Sequence, residues 1–163
     1  TQTGISHCPC SNCRLGSGIA PIKEMKSMGI PIGLGVDGSA SNDSGNLITE
    51  ARQAMLMQRV SSGADAMSSR EALEIATRGG ADILGRPECG RIAIGKRADI
   101  AIWDVSGLES AGSWDPAAIL LTGPNQVKHL IVDGKFIVED SQLLTSDLAK
   151  LINLQNKLAK ALF

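Results

Sequence analysis

His7, Cys8, Cys10 and Cys13 fall within one seven-residue stretch, His7-Cys8-Pro9-Cys10-Ser11-Asn12-Cys13, and thiolates and imidazoles at such spacing can hold zinc. Pro9-Cys10-Ser11-Asn12-Cys13 fits the P-C-x-x-C half of a zinc-site pattern in which two thiolates and a histidine or third cysteine bind the metal. The other half, H-x-E, supplies a proton-moving glutamate, and none of the six residues before His7 is a glutamate. Zinc requires four ligands, or three and a water. The remaining candidates, Cys89 and His129, stand far along the chain in unrelated sequence. Closely spaced cysteines also arise by chance, so the sequence favours free thiols over a cysteine zinc site.

Gly33-Leu34-Gly35-Val36-Asp37-Gly38 spells G-x-G-x-x-G. A dinucleotide site needs the last glycine to open a helix and an acid about 20 residues later at the next strand end. A Ser-Ala-Ser-Asn loop follows instead, and the next acids beyond that loop, Glu50 and Asp65, lie in or just past helical sequence. Asp37 carries more chemistry. A carboxylate at the carboxyl end of an apolar parallel strand points into the mouth where barrel enzymes assemble their sites. The competing reading is a turn aspartate before Gly38. Ser39, Ser41, Asn42 and Asp43 add polar groups to the same small loop, an arrangement able to orient a metal-associated water and a polar ring.

These residues need elements to hold them. Residues 4–6 and 30–37 are predicted strands; between them Pro21 suits a first helical turn, with Ile22, Met25 and Met28 at helical spacing before Gly29. Strand, loop, helix and strand in roughly 30 residues form a βαβ unit with parallel strands, so the fold class is α/β. A long helix is predicted from Leu47 to Val60, with Leu47, Ala51, Ala54, Met55 and Gln58 along it. Another opens at Ser69 with a capping arrangement and runs to Gly85, with a break expected at Gly79-Gly80. From about residue 88 the texture becomes β-rich: strands at Arg91–Ile94, Ala98–Trp103, Val127–Val132 and Lys135–Val138, the last two joined by an Asp133-Gly134 hairpin turn. Residues 146–162 form a terminal helix with one apolar face. The organisation expected is 1–88, 89–145 and 146–163. Trp103 and Trp114 read as packing residues of the β-rich unit, Arg14 as a surface residue, and Met55 and Met57 as core or dimer contacts.

Composition bounds the function. The 163 residues are 43% hydrophobic and 20% charged, long enough for a substantial core. A formal charge of −1 and 2% aromatic content argue against nucleic acid as a partner and against an anionic membrane surface. No apolar run approaches the roughly 20 residues that span a bilayer, and Thr1-Gln2-Thr3-Gly4 does not read as a leader, so a cytoplasmic location with reduced thiols is expected.

The stretch from His7 to Pro21, together with Gly33 to Gly38, resembles the carboxyl-terminal half of the amidohydrolase superfamily, in the branch of cytosine and guanine deaminases and triazine hydrolases. Within that branch HCPCSN, GVDGSASND, REALEIAT and GKRADIAIWD are most similar to the 8-oxoguanine deaminases, and the GVDGSASND loop is the most specific part. The resemblance implies the final part of a TIM barrel, strands 7 and 8 with their helices, then part of a flanking β-sandwich and a C-terminal helix. It implies that Asp37 binds a single catalytic zinc and handles a proton of the reacting water. It places His7, Ser11 and Asn12 in a strand 7 loop near the substrate, with Ser39, Ser41 and Asn42 offering ring contacts from the strand 8 loop; Cys8, Cys10 and Cys13 become small loop or core residues.

The family also requires an H-x-H on strand 1, histidines on strands 5 and 6 and a glutamate acid–base, none of which these residues contain. The activity implied is therefore that of a complete parent enzyme: zinc-dependent hydrolytic deamination of a purine-type base, its partner a small nucleobase-like molecule, in a possible homo-oligomer. Two alternatives stand beside it. These 163 residues alone form an inactive fragment, or the parent acts as a triazine, chloro- or amide hydrolase of the same branch.

Overall fold

A computed structural model describes residues 3–42 and 44–162. The chain divides into two compact units, the first built from residues 1–96 and 106–124, the second from 97–105 and 125–163.

In the first unit, β1 (Ile5–His7) pairs parallel with β2 (Ile32–Leu34), in the register Ile5 to Ile32, Ser6 to Gly33 and His7 to Leu34. The βαβ connection holds α1 (Pro9–Leu15) and α2 (Ile22–Ser27). Gly29, at φ 75°, ends the α2 segment where the sequence placed its stop. All three β2 residues are buried. Ile22 from α2 packs with Ala51, Ala54 and Met55 of α3 (Leu47–Ser62), which face the core at helical spacing. Ile22 is fully buried, worth about 1.5–3 kcal/mol by transfer from water. Gln58, also on that face, donates from Nε2 to the Ala20 carbonyl at 2.8 Å, which fixes the chain entering α2. Met55 is a core residue, as the sequence indicates.

The next helical segment is α4 (Ser69–Glu74), a π-turn over Ile75–Gly79, and α5 (Gly80–Ile83). Its cap is Ser68, one residue earlier than expected, in a reciprocal capping box with Glu71. Gly79-Gly80 does not break the helix. The glycines let backbone meet backbone: a Cβ at Gly79 would collide with the Ile32 carbonyl oxygen, and one at Gly33 would lie 2.9 Å from the Gly80 Cα. The first two glycines of the G-x-G-x-x-G text therefore serve close packing, Gly33 against α5 and Gly35 against Ser6 and Cys8, whereas nothing lies within 4 Å of a Cβ at Gly38.

Residues 106–124 return to the first unit and carry α6 (Pro116–Thr122), a helix not foreseen in a stretch assigned to the β-rich part. Asp115 caps it and pairs with Arg70 at 2.7 Å, while Arg52 of α3 donates to the Leu121 carbonyl at 2.9 Å. Trp114 is 90% exposed, which corrects its reading as a packing residue. Arg91–Ile94 is likewise not a strand. Ile92 and Ile94 are exposed, and no ladder among the described residues includes this segment to pair its backbone groups.

The second unit is an antiparallel meander, β3 (Ile100–Asp104), β4 (Gln126–Val132), β5 (Lys135–Glu139) and β6 (Gln142–Leu143), in sequence order across the sheet. The expected hairpin is present. Asp133 and Gly134 at φ 50° and 76° supply the two positive dihedrals of a type I′ turn, and Asp99 accepts the Asp133 N–H at 2.7 Å. Helix α7 (Leu148–Lys160) has the predicted apolar face, with Leu148, Leu151, Ile152 and Leu158 about half exposed. No helix is long and apolar enough to cross a membrane among the described residues.

Candidate active site

Asp37 stands three residues beyond the carboxyl end of β2, exposed, in the left-handed region at φ 63°. Few non-glycine residues adopt that conformation; aspartate is among those that tolerate it best. Three donors converge on its carboxylate. Ser11 Oγ lies 2.6 Å and Ser41 Oγ 2.9 Å from Oδ2, and the Gly38 N–H lies 2.8 Å from Oδ1. Hydrogen bonds from Ser11, Gly38 and Ser41, in that order, hold the carboxyl below its ordinary pKa.

The donors come from two chain segments. Ser11 lies in α1, and the sequence explains why a helix forms where a strand-to-helix loop was expected. Pro9 takes the first helical position, and Gly16 at φ 65° closes the last turn, its N–H reaching Cys13 O and the Ser17 N–H reaching Asn12 O. Ser11 is 2% exposed, pointing from α1 to Asp37. Ser41 belongs to the turn after Asp37, which the Ser41 and Asn42 N–H groups close on the Gly38 carbonyl. Ser39 is exposed in this turn; Asp43, counted in the same loop, lies outside the described residues.

Behind this shell lies a residue the sequence reading passed over. Glu50, on the first turn of α3, is fully buried. Its Oε2 accepts the Cys10 N–H at 3.0 Å and its Oε1 accepts Nδ2 of Asn42, whose Oδ1 in turn accepts the Ser44 and Gly45 N–H groups. Glu50, Ala54 and Gln58 are four residues apart, so an acid on the buried line of the helix was visible in the text. His7 closes β1, 5% exposed, with Nε2 lacking a hydrogen-bond partner. Burial pulls its pKa down, against the opposing charge of Glu50. Asn12, half-buried on α1, borders a small void with His7 and Met57.

All four cysteines are free thiols. Cys10 is half-buried, and burial and Glu50 push its thiol up to about 12, whereas Cys13 is exposed and accepts from Gln53 Nε2 at 3.3 Å. Because alkylation requires the thiolate, iodoacetamide at pH 8 is expected to label Cys13 and spare Cys10, of which about 0.01% is ionised there. Peptide mapping by mass spectrometry reads this directly; equal labelling would contradict the environment assigned to Cys10. Among the described residues no three His, Cys, Asp or Glu side chains gather closely enough to hold a metal ion.

The chain resembles known proteins along most of its length. The profile of the Amidohydrolase family matches residues 1–137. The chain is 48% identical over 161 residues to an 8-oxoguanine deaminase of Pseudomonas aeruginosa, covering 98% of this chain and 36% of that protein. It is 37% identical to an isoxanthopterin deaminase of an unknown prokaryotic organism, covering 93% and 35%. Among solved structures it resembles an atrazine chlorohydrolase from Arthrobacter aurescens TC1 complexed with zinc, at TM-score 0.89 and 38% identity over 95% of this chain and 35% of that one. It also resembles an adenosine deaminase from Xanthomonas campestris with bound zinc, at TM-score 0.91 and 30% identity over 97% and 37%. The chain thus spans about a third of the length of the relatives it matches.

Proposed function

Because the chain belongs to the amidohydrolase family, we propose that a complete enzyme carrying these residues is a zinc-dependent hydrolase that deaminates a purine-type base resembling 8-oxoguanine. The observation that carries this reading is the Asp37 carboxylate, held by three donors beyond the end of a parallel strand; the relative at 48% identity supplies the substrate class. In this reading β1 and β2 are strands 7 and 8 of the barrel, and β3 to β6 belong to the flanking sandwich.

Asp37 fits one position of a metal site. Oδ2 accepts two hydrogen bonds and Oδ1 accepts one, which leaves Oδ1 a lone pair for a cation. The remaining ligands come from outside these 163 residues in this proposal. Zinc, when bound, supplies the Lewis acidity that makes water acidic near neutral pH. The work assigned to this chain follows from its geometry. Asp37 accepts the proton of the attacking water and passes it toward the departing amine, as the new C–O bond forms and the C–N bond breaks to release ammonia. Ser11 and Ser41 keep the carboxylate ionised and aimed.

Ring contacts were expected from His7, Ser11, Asn12, Ser39, Ser41 and Asn42. The hydroxyls of Ser11 and Ser41 are engaged by Asp37 and the amide of Asn42 by Glu50, so we assign these three to support. Ser39, exposed two residues after Asp37, Asn12, half-buried on the void it shares with His7, and the unpartnered Nε2 of His7 remain the contacts proposed for the base.

The complete enzyme should release ammonia from 8-oxoguanine with kcat/KM at least about tenfold above its values for isoxanthopterin, 5-methylthioadenosine and atrazine, a margin one or two pocket contacts can supply. Chloride release from atrazine as the fastest reaction would overturn the deaminase reading in favour of a chlorohydrolase. The 163 residues alone should release neither product.

A further inference from the structure

We propose that Glu50 is a positioning residue that sets Asp37 through two arms. One arm runs from Glu50 Oε2 to the Cys10 N–H, at 3.0 Å, and on through the next residue, Ser11, whose hydroxyl reaches Asp37 Oδ2 at 2.6 Å. The other runs from Glu50 Oε1 to Asn42 Nδ2 and back one residue to Ser41, whose hydroxyl reaches the same oxygen at 2.9 Å. A single fully buried side chain therefore fixes both segments that aim donors at one oxygen of an exposed carboxylate. A carboxylate suits both arms because each presents an N–H donor. A glutamine would turn its NH2 against one of them. Flipping Asn42 to compensate would remove the Oδ1 that accepts the Ser44 and Gly45 N–H groups.

This inference rests on the reading of Asp37 as the catalytic carboxylate. In the complete enzyme, Glu50→Gln should lower kcat by about 10- to 100-fold while KM stays within about threefold, the pattern of a group that matters to the reacting geometry and not to substrate binding. The same substitution made in a Ser11→Ala/Ser41→Ala background should cost less than about threefold more, since coupled residues are non-additive. Zinc retention against a competing chelator should fall in Glu50→Gln and change little further in the triple variant. An equal loss of kcat in both backgrounds, or a Glu50→Gln enzyme at wild-type rate, would overturn the proposal. If Glu50→Gln yields no soluble protein, Asn42→Ala cuts one arm, and the same cycle against Ser41→Ala alone decides: additivity overturns, non-additivity supports. Asp37→Asn separates the two claims, because full turnover there removes the reading of Asp37, whereas an inactive Asp37→Asn beside a fully active Glu50→Gln removes only the role of Glu50.

Discussion

In the complete enzyme, Asp37→Asn is expected to reduce kcat by at least about a thousandfold, the combined loss of a proton acceptor and a metal-binding charge. The amide is nearly isosteric, so the change tests charge and acceptor capacity, not shape. Asp37 now meets three donors, two at Oδ2 and one at Oδ1. An asparagine can offer its single oxygen to Ser11 and Ser41, which turns its NH2 against the Gly38 N–H, or to Gly38, which leaves both hydroxyls facing an amide donor. Because the side chain is exposed, this mismatch is relieved by solvent and the fold should persist, with an unfolding midpoint close to wild type. The informative result is therefore paired: turnover lost, thermal midpoint kept, and bound zinc reduced when assayed by atomic emission. Turnover at the wild-type rate would remove Asp37 from the chemistry.

The parts of the architecture that were legible are those with local signals. Gly29, Pro21 and the Ile22, Met25, Met28 spacing mark α2; Asp133-Gly134 marks the hairpin because few other pairs accept two positive φ values. Asp37 was legible as a carboxylate at a strand end, but its partners were not fully so, since Ser11 approaches from 26 residues away and only packing brings them together. Helix α1 carried its own signals in Pro9 and Gly16 and was still read as a loop, because the family resemblance assigned this stretch to a strand 7 loop. Helix α6 is seven residues long and apolar up to its last residue, Thr122, a length at which helix and strand periods do not separate. Arg91–Ile94 alternates like a strand yet has no ladder partner among the described residues. Alternation states only that one face is apolar; a strand exists where a neighbour takes its hydrogen bonds.

The second large effect concerns the glycine pair that the sequence reading took for a helix break. By intrinsic propensity either glycine, within the helical run from Ser69 to Ile83, should be improved by alanine by about 1 kcal/mol. At Gly80 nothing lies within 4 Å of an added Cβ, and its φ of −58° is helical, so Gly80→Ala should be stabilising by about 0.5–1 kcal/mol. At Gly79, φ is equally helical at −59°, but the added Cβ would strike the carbonyl oxygen of Ile32, a backbone atom of β2 that no rotamer change can move away. The helix must then withdraw from the strand, opening the contacts that bury Ile75 and Ile32, and overpacking of this kind costs more than the propensity returns, a net loss of about 2–4 kcal/mol. Urea unfolding of the two variants beside wild type reads the opposed signs directly. Equal stability of Gly79→Ala and Gly80→Ala would mean that backbone contact with β2 does not seat this helix. The effect also reaches the site, since Asp37 follows β2 by three residues and inherits its placement from that strand; a Gly79→Ala enzyme that still folds should lose turnover out of proportion to its fraction unfolded.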